Sequence, residues 1–168
     1  QVLLQTPAAV RFVSYEPALG PIGIADYLKP APSASNFGDV FRKSKLDWLI
    51  IGGESGSKAR PCDVAWIHSA VAQCREAKVP VFVKQLGRYP AIDAACGRGP
   101  DVLRLQREID CEWKAGTTFG NPTGDQSNNG RIAFLRHAKG GDPAEWPECL
   151  RVREWPRCWR RPTCRRRR

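Results

Sequence analysis

The sequence predicts an α/β fold built from parallel strands that are joined by crossover helices. Three short apolar runs, within residues 10–16, 46–56 and 79–87, each lead into a polar residue and then into Gly or Pro. Buried parallel strands show this continuous apolar pattern, whereas half-exposed strands alternate. A segment between the second and third runs has helical spacing. Such strand-helix-strand units are right-handed and parallel almost without exception.

The first strand is predicted over residues 10–16. Pro17 ends it, because proline fixes its own backbone angle and restricts the residue before it. Residues 24–28 are predicted to form a short helical turn, and residues 29–36 form a loop rich in Pro, Ala and Ser. A further turn over residues 37–44 leads into the second strand.

The clearest helix follows the second strand and begins after Asp63, a typical N-cap residue. The Lys78-Val79-Pro80 step ends this helix and starts the third strand, so that residues 46–86 form one unit. The apolar residues of the helix recur three and four positions apart and define its buried face: Trp66, Ile67, Ala70, Val71, Cys74 and Ala77.

The pattern weakens in the second half of the chain. Residues 101–113 predict only a weak amphipathic helix, and the Asn, Gly and Pro content of residues 116–130 predicts a flexible loop. Residues 131–136 predict a fourth strand. Asp142 followed by Pro143 predicts the start of another helix, with Asp as the N-cap and Pro as the first residue.

The net charge of +10 is concentrated at the carboxyl end. Residues 157–168 contain seven arginines and no acidic residue, which leaves +3 for residues 1–156. The chain is 42% hydrophobic and 26% charged, which at this length is enough for one core but not for two. We expect one α/β domain over residues 1–156 and an Arg-rich, disordered tail over residues 157–168.

Two features predict the compartment and the extent of the protein. No run approaches the roughly 20 apolar residues that span a bilayer, and no charged-then-apolar leader is present, which predicts a cytoplasmic protein without a membrane partner. The chain begins at Gln1 and contains no methionine. We therefore expect the carboxyl-terminal part of a longer protein, with the missing amino-terminal segment as a partner.

The seven cysteines are scattered and form no C-x-x-C pair, so the sequence predicts no metal site and buried or idle thiols. An odd number of cysteines argues against a secreted disulfide framework. His68 and His137 are expected to be exposed to solvent, because neither has a second ligand at metal spacing.

A glycine-rich turn follows the second strand. It resembles a phosphate loop, but Ser57 replaces the second glycine and Ala59 replaces the hydroxyl that would hold magnesium, so we exclude nucleotide hydrolysis. The backbone N–H groups of such a turn can bind a carboxylate or a phosphate. The alternative is a tight turn in which Glu54 is paired to Arg60. The predicted cofactor-binding residues are Gly52, Gly53, Glu54 and Ser55.

Glu16 is a carboxylate within an apolar strand, immediately before proline. Burial of such a group costs free energy unless it is paired or used in chemistry. One interpretation is catalysis, and the other is a salt bridge to Lys84 on a neighbouring strand. Both place Glu16 and Lys84 in one cleft. The candidate catalytic residues at the strand ends are Glu16, Glu54, Lys84 and Gln85.

A second functional class is nucleic-acid binding through the basic tail. Trp146, Trp155 and Trp159 are interleaved with arginines, and aromatic rings in basic surroundings can stack on bases. The alternative is that these tryptophans seal the edge of the domain. The candidate phosphate contacts are Arg160, Arg161, Arg165 and Arg166.

The same segments resemble the phage gp-thirty-seven/gp-sixty-eight family of unknown function, which is itself similar to radical S-adenosylmethionine (radical-SAM) enzymes. The resemblance includes Arg-Phe-Val-Ser-Tyr-Glu-Pro-Ala-Leu-Gly-Pro-Ile at residues 11–22 and Val-Phe-Val-Lys-Gln-Leu-Gly at residues 81–87. Two further blocks complete it, at residues 47–61 and residues 140–154.

The resemblance implies a partial (β/α) barrel, of which this chain is the later part. Full-length members would bind S-adenosylmethionine and a [4Fe-4S] cluster through three closely spaced cysteines near the amino terminus, and none of the seven cysteines here has that spacing. Three or four strands also cannot close a barrel of about eight. The resemblance therefore implies that this chain alone is not competent for radical chemistry.

Overall fold

The structure is a computed structural model that describes residues 2–29, 45–92, 113, 117–120 and 131–157. Its α-helices are α1 (Val2–Gln5), α2 (Ala25–Leu28) and α3 (Val64–Glu76), and single 3-10 turns occupy Pro143–Glu145 and Glu148–Leu150. Its strands are β1 (Phe12–Tyr15), β2 (Trp48–Gly52), β3 (Cys62–Asp63), β4 (Val81–Gln85), β5 (Pro90–Ile92), β6 (Thr118–Gly120) and β7 (Arg131–Phe134). None of these helices has the length and apolarity needed to cross a bilayer.

The first sheet is parallel and has the strand order β1-β2-β4. α3 connects β2 to β4, which confirms the strand-helix-strand unit predicted for residues 46–86. Its start is fixed by Asp63, whose carboxylate accepts the N–H of Ala65 at 2.8 Å and so caps one of the unpaired donors of the first helical turn.

The core lies between α3 and one face of this sheet. The side chains of Leu49, Ile51, Val81 and Val83 are fully buried, and so is Ile67 on the facing side of the helix. Side chains of this size contribute about 1.5–3 kcal/mol each when they leave water completely. The apolar periodicity in the sequence thus correctly identifies the face that packs on the sheet.

A second sheet has the order β3-β5-β7-β6 and is mixed. The predicted fourth strand forms as β7, but it pairs antiparallel with both β5 and β6, so the fold contains a mixed sheet beside the parallel sheet that the sequence predicted. Only residues 86–89 separate β4 from β5, which is too short for a parallel crossover, so β5 leaves the first sheet and belongs to the second. The described strands form open sheets and no closed barrel.

Other predictions in this half have mixed outcomes. β6 lies within residues 116–130, where the sequence predicted a loop, and that prediction is wrong at Thr118–Gly120. The helix start at Asp142 is confirmed, because its carboxylate accepts the N–H of Ala144, although the helix is one 3-10 turn. The predicted segments at residues 30–44 and 101–112 lie outside the described residues.

The carboxyl-terminal segment packs along the edge of β4 that does not pair with β2. The N–H of Val83 donates to the Val152 carbonyl at 2.8 Å, and the N–H of Glu154 donates to the Val81 carbonyl at 2.9 Å. Residues 152–154 therefore act as a short antiparallel strand that covers this edge.

The face of the first sheet opposite α3 carries aromatic side chains at the amino ends of its strands. Their rings contact one another at centroid distances of 5.1–6.3 Å. This aromatic cluster consists of Phe12, Trp48, Phe82 and Trp155. Glu16, Gly52 and Lys84 lie at the other end of the same face, because side chains alternate along each strand.

Candidate functional site

The carboxyl ends of all three parallel strands open into one cleft of about 230 Å³. Parallel strands deliver the residues that follow them to a common edge, where α/β proteins bind their ligands. The lining residues come from the end of β1 (Glu16, Pro17), the turn after β2 (Gly53, Glu54, Ser55) and the end of β4 (Lys84, Gln85). All four candidate catalytic residues of the sequence therefore meet in one place.

Glu16 and Lys84 form an ion pair across the middle strand. The Lys84 Nζ lies 3.3 Å from Glu16 Oε1 and 3.4 Å from Oε2, although β2 separates the two strands. Ser14, two residues earlier on the same face, donates its hydroxyl to Glu16 Oε2 at 2.8 Å. These contacts hold the carboxylate in one orientation, and the salt bridge considered from the sequence is confirmed.

The two glycines at the end of β2 allow this arrangement. A Cβ on Gly52 would lie 2.4 Å from Glu16 Oε1, so the Glu16 side chain occupies the space above Gly52. A Cβ on Gly53 would lie 2.2 Å from the Leu86 carbonyl oxygen. The N–H of Gly53 donates to the Gln85 carbonyl at 3.0 Å. Close packing accounts for both glycines, and the Gly53 N–H is already used within the protein.

Glu54 is paired with Arg60, as the alternative interpretation of the turn predicts. Arg60 Nε donates to Glu54 Oε2 at 2.8 Å, Arg60 Nη2 to Oε1 at 3.2 Å, and the Arg60 backbone N–H to Oε2 at 2.9 Å. These hydrogen bonds from the side chain and backbone of Arg60 hold the pKa of Glu54 below its ordinary value. Glu54 is therefore an ionised acceptor at the rim.

The cleft presents a positively charged and a negatively charged side chain, Lys84 and Glu16, to a ligand. The Lys84 side chain is 55% exposed and the Glu16 side chain 21%, so the ammonium is readily reached while the carboxylate is more enclosed. Lys84 can bind a carboxylate or phosphate, and Glu16 can accept from an amine or hydroxyl. The Gln85 amide donates to the Gly53 carbonyl at 2.9 Å, which fixes that side chain against the turn.

The carboxyl-terminal block supports the end of β4. Arg153 Nη2 donates to the carbonyls of Lys84 at 3.3 Å and Gly141 at 3.2 Å, and its guanidinium lies over the rings of Phe82 and Trp146. Arg153 and Ser14 are not among the candidate residues predicted from the sequence. The two-residue spacing of Ser14 and Glu16 was a usable signal, whereas nothing local indicated Arg153.

The cysteines and histidines do not form a metal centre in the described ranges, where no three ligand-type side chains cluster. Cys62 and Cys74 are free and buried, as the sequence predicted, and burial raises the pKa of each thiol to about 12. The described cysteines therefore do not fit an iron-sulfur cluster. His137 is exposed, as predicted. His68 is half-buried, so the prediction that it is exposed is wrong: its side of α3 is partly covered by other parts of the protein.

Trp146 and Trp155, which the sequence suggested could either stack on bases or seal the edge of the domain, differ in their exposure. Trp146 is fully buried and its indole N–H donates to the Gly140 carbonyl at 2.9 Å, so it seals the domain and cannot stack on a base. Trp155 is 41% exposed at the edge of the aromatic cluster. Trp159 and the candidate arginines, Arg160, Arg161, Arg165 and Arg166, lie outside the described residues.

A parallel α/β sheet with a charged cleft at its strand ends defines an α/β domain with a candidate ligand-binding rim. The chain belongs to the family described as Protein of unknown function (DUF5131), whose model matches residues 1–140. No curated protein and no solved structure matches the chain. The family match includes every residue of the cleft.

Proposed function

We propose that the cleft binds the polar part of a cofactor or substrate, and that the chain is the later part of a radical-SAM-like (β/α) barrel enzyme. The observation that carries this proposal is the meeting of Glu16, Glu54, Lys84 and Gln85 in one cleft at the carboxyl ends of three parallel strands. Active sites of barrel enzymes occupy this edge.

The arrangement of the first sheet supports the barrel. Its strands are parallel, lie in chain order and carry a crossover helix on one face, as consecutive strands of a barrel do. The relation to the phage gp-thirty-seven/gp-sixty-eight family rests on the four sequence blocks, three of which lie within residues 1–140. On this proposal, residues 1–156 form the domain of a cytoplasmic protein and residues 157–168 lie outside it.

The proposed ligand of the cleft is S-adenosylmethionine. It carries an amine and a carboxylate, which complement the Glu16 carboxylate and the Lys84 ammonium on either side of Gly52. The described cysteines do not fit a [4Fe-4S] cluster. The amino-terminal segment of the longer protein would have to bring the cluster, and this chain alone performs no radical chemistry.

Calorimetric titration with S-adenosylmethionine tests the ligand. Lys84→Met should weaken binding roughly tenfold or more, because it leaves the ligand carboxylate without its cation. Lys29→Met is the matched control: Lys29 also forms an exposed ion pair, with Glu76 at 2.8 Å, but does not line the cleft. Equal binding of S-adenosylmethionine by both variants and the wild type would contradict the proposal that the ligand binds in the cleft.

A second experiment tests the enzyme class. The reading frame immediately upstream should encode three closely spaced cysteines. Anaerobic reconstitution of the joined polypeptide with iron and sulfide should then produce iron-sulfur absorption in the visible spectrum. If the upstream frame lacks such cysteines and the joined polypeptide stays colourless, the radical-SAM assignment is wrong.

The alternative function is nucleic-acid binding through Arg160, Arg161, Arg165 and Arg166. The observation that favours it is the concentration of seven arginines in residues 157–168. Affinity for a single-stranded oligonucleotide should fall steeply with salt and disappear when residues 157–168 are deleted. Unchanged affinity after this deletion would contradict the alternative.

A further inference from the structure

β4 contains a one-residue bulge at the rim of the cleft. Two consecutive residues of β2 pair with Val83 and Gln85, so Lys84 is an extra residue in the register of the two strands. Bulges are uncommon between parallel strands, and they bend the strand, redirect side chains and occur frequently next to functional sites. The extra residue here carries the ammonium group that crosses β2 to the Glu16 carboxylate.

The bulge removes a hydrogen-bond donor from the Lys84 carbonyl. The N–H of Leu49 donates to the Pro80 carbonyl at 3.2 Å. If that register continued, the N–H of Gly53 would donate to the Lys84 carbonyl, because every second residue of a strand directs its N–H to the same side. The Gly53 N–H instead donates to the Gln85 carbonyl at 3.0 Å. The Lys84 carbonyl therefore needs a donor from outside the parallel sheet.

Arg153 supplies this donor. Its Nη2 donates to the Lys84 carbonyl at 3.3 Å and to the Gly141 carbonyl at 3.2 Å. Its Cζ lies over the rings of Phe82 and Trp146, 5.5 and 5.4 Å from their centroids. Arginine suits this position, because its planar group donates several hydrogen bonds while its faces stack on aromatic rings. These contacts fix the guanidinium beside the bulge.

The carboxyl-terminal segment is also held by contacts that do not involve the Arg153 side chain. Backbone hydrogen bonds join Val152 to Val83 and Glu154 to Val81. The Glu154 carboxylate also accepts the N–H of Val81 at 3.3 Å. What the Arg153 side chain adds to these contacts is the hydrogen bond to the extra residue of the bulge.

We propose that Arg153 is a positioning residue of the cleft. By binding the Lys84 carbonyl it holds the bulge, and the bulge directs the Lys84 ammonium toward Glu16 and toward an anionic group of the ligand. Arg153 acts on the ligand only through Lys84. The inference rests on the proposed function only in taking Lys84 as the cation that binds the ligand.

The NMR resonance of the Glu16 carboxyl carbon in the chain alone tests the positioning without a ligand. Lys84→Met removes the ion pair and gives the reference shift. Arg153→Met keeps an apolar stem but loses the donor, and it should move the resonance in the same direction. A variant that only destabilises the fold would lower the urea midpoint and leave this resonance in place.

Arg151→Met is the matched control for this measurement. Arg151 donates through Nε and Nη2 to the Trp146 carbonyl, at 3.0 and 2.8 Å, and this carbonyl lies outside β4. The control should leave the Glu16 resonance at its wild-type position. A resonance that does not move in Arg153→Met, or that moves equally in Arg151→Met, would overturn the proposal.

A double-mutant cycle with S-adenosylmethionine distinguishes positioning from direct contact. In the wild-type background, Arg153→Met should weaken calorimetric binding roughly fivefold, about the worth of one hydrogen bond. In a chain that already carries Lys84→Met, the same change should weaken binding by less than about twofold, because its only route to the ligand is gone. Equal losses in both backgrounds would mean that Arg153 contacts the ligand itself, and would overturn the proposal.

The remaining outcomes separate this proposal from the proposed function. Arg153→Lys serves if the methionine variant does not fold, because it keeps the charge and the stem but loses the rigid planar group, and both measurements apply to it with the same expected signs. Binding that depends on Lys84 but not on Arg153 would overturn the positioning role and support the cleft. If the wild type does not bind S-adenosylmethionine, the ligand is wrong, and the Glu16 resonance still decides the role of Arg153.

Discussion

Gly52→Ala and Gly53→Ala are adjacent, chemically identical changes that should have different effects. At Gly52 the new methyl group would meet Glu16 Oε1 at 2.4 Å, and this oxygen is the mobile end of a side chain. At Gly53 the methyl group would meet the Leu86 carbonyl oxygen at 2.2 Å, and this atom belongs to the backbone. A side chain can rotate away, whereas the backbone must shift together with β4.

The expected magnitudes follow from these contacts. Gly52→Ala loses the Lys84 ion pair and the Ser14 hydrogen bond of Glu16, but an alanine in a strand is more favourable than a glycine. We expect a net loss in the free energy of unfolding of about 1 kcal/mol or less. Gly53→Ala should lose about 2–3 kcal/mol, as overpacked interiors do. The melting temperature should then fall by roughly 2–4 °C per kcal/mol.

A double-mutant cycle isolates the cause. With Glu16→Ala in place, the space above Gly52 is empty, so Gly52→Ala should become stabilising by about 0.5 kcal/mol. The coupling energy between positions 16 and 52 should be about 1 kcal/mol, measured by urea denaturation monitored by tryptophan fluorescence. A coupling energy near zero, or equal destabilisation by the two glycine variants, would refute the placement of Glu16 over Gly52.

Three other predictions concern the supporting structure. Gln73 accepts two backbone N–H groups at the start of α2, at 2.9 and 3.1 Å, so Gln73→Ala should destabilise the protein by about 2 kcal/mol, and an unchanged urea midpoint would contradict this role. Because the pKa of Glu54 is lowered from 4.5, its pairing stabilises the fold above pH 4.5 and is lost as the pH falls through the lowered value. Arg60→Ala should raise that pKa in a carboxyl NMR titration, and an unmoved titration would argue against the pair. With pKa values of about 12, Cys62 and Cys74 should react with iodoacetamide at pH 8 roughly a hundredfold more slowly than in the urea-unfolded chain, whereas equal rates would mean that they are not buried.

The sequence alone predicted the parallel sheet and the residues that meet in the cleft. Continuous apolar runs that end in polar residues specify buried parallel strands and the edge at which they end, and Glu16, Glu54, Lys84 and Gln85 all lie there. The N-cap at Asp63 and the apolar spacing after it likewise specified α3, because capping and helical periodicity are local properties of the chain.

The remaining features depend on contacts between distant segments. β5 and β6 have three residues each, too few to show a period, and their pairing with β7 comes from tertiary packing. The ion pair of Glu16 with Lys84 was considered from the sequence, but its passage over Gly52 requires the strand order. Arg153 reaches the end of β4 only because residues 152–154 add to that edge.

The most direct test of the cleft as a ligand site is the change in amide chemical shifts when S-adenosylmethionine is added to the isotopically labelled chain. The largest changes should fall at the cleft residues, in particular Glu16, Gly53, Ser55 and Lys84. Changes confined to the second sheet or to α3, or no changes at millimolar ligand, would contradict a ligand site in the cleft.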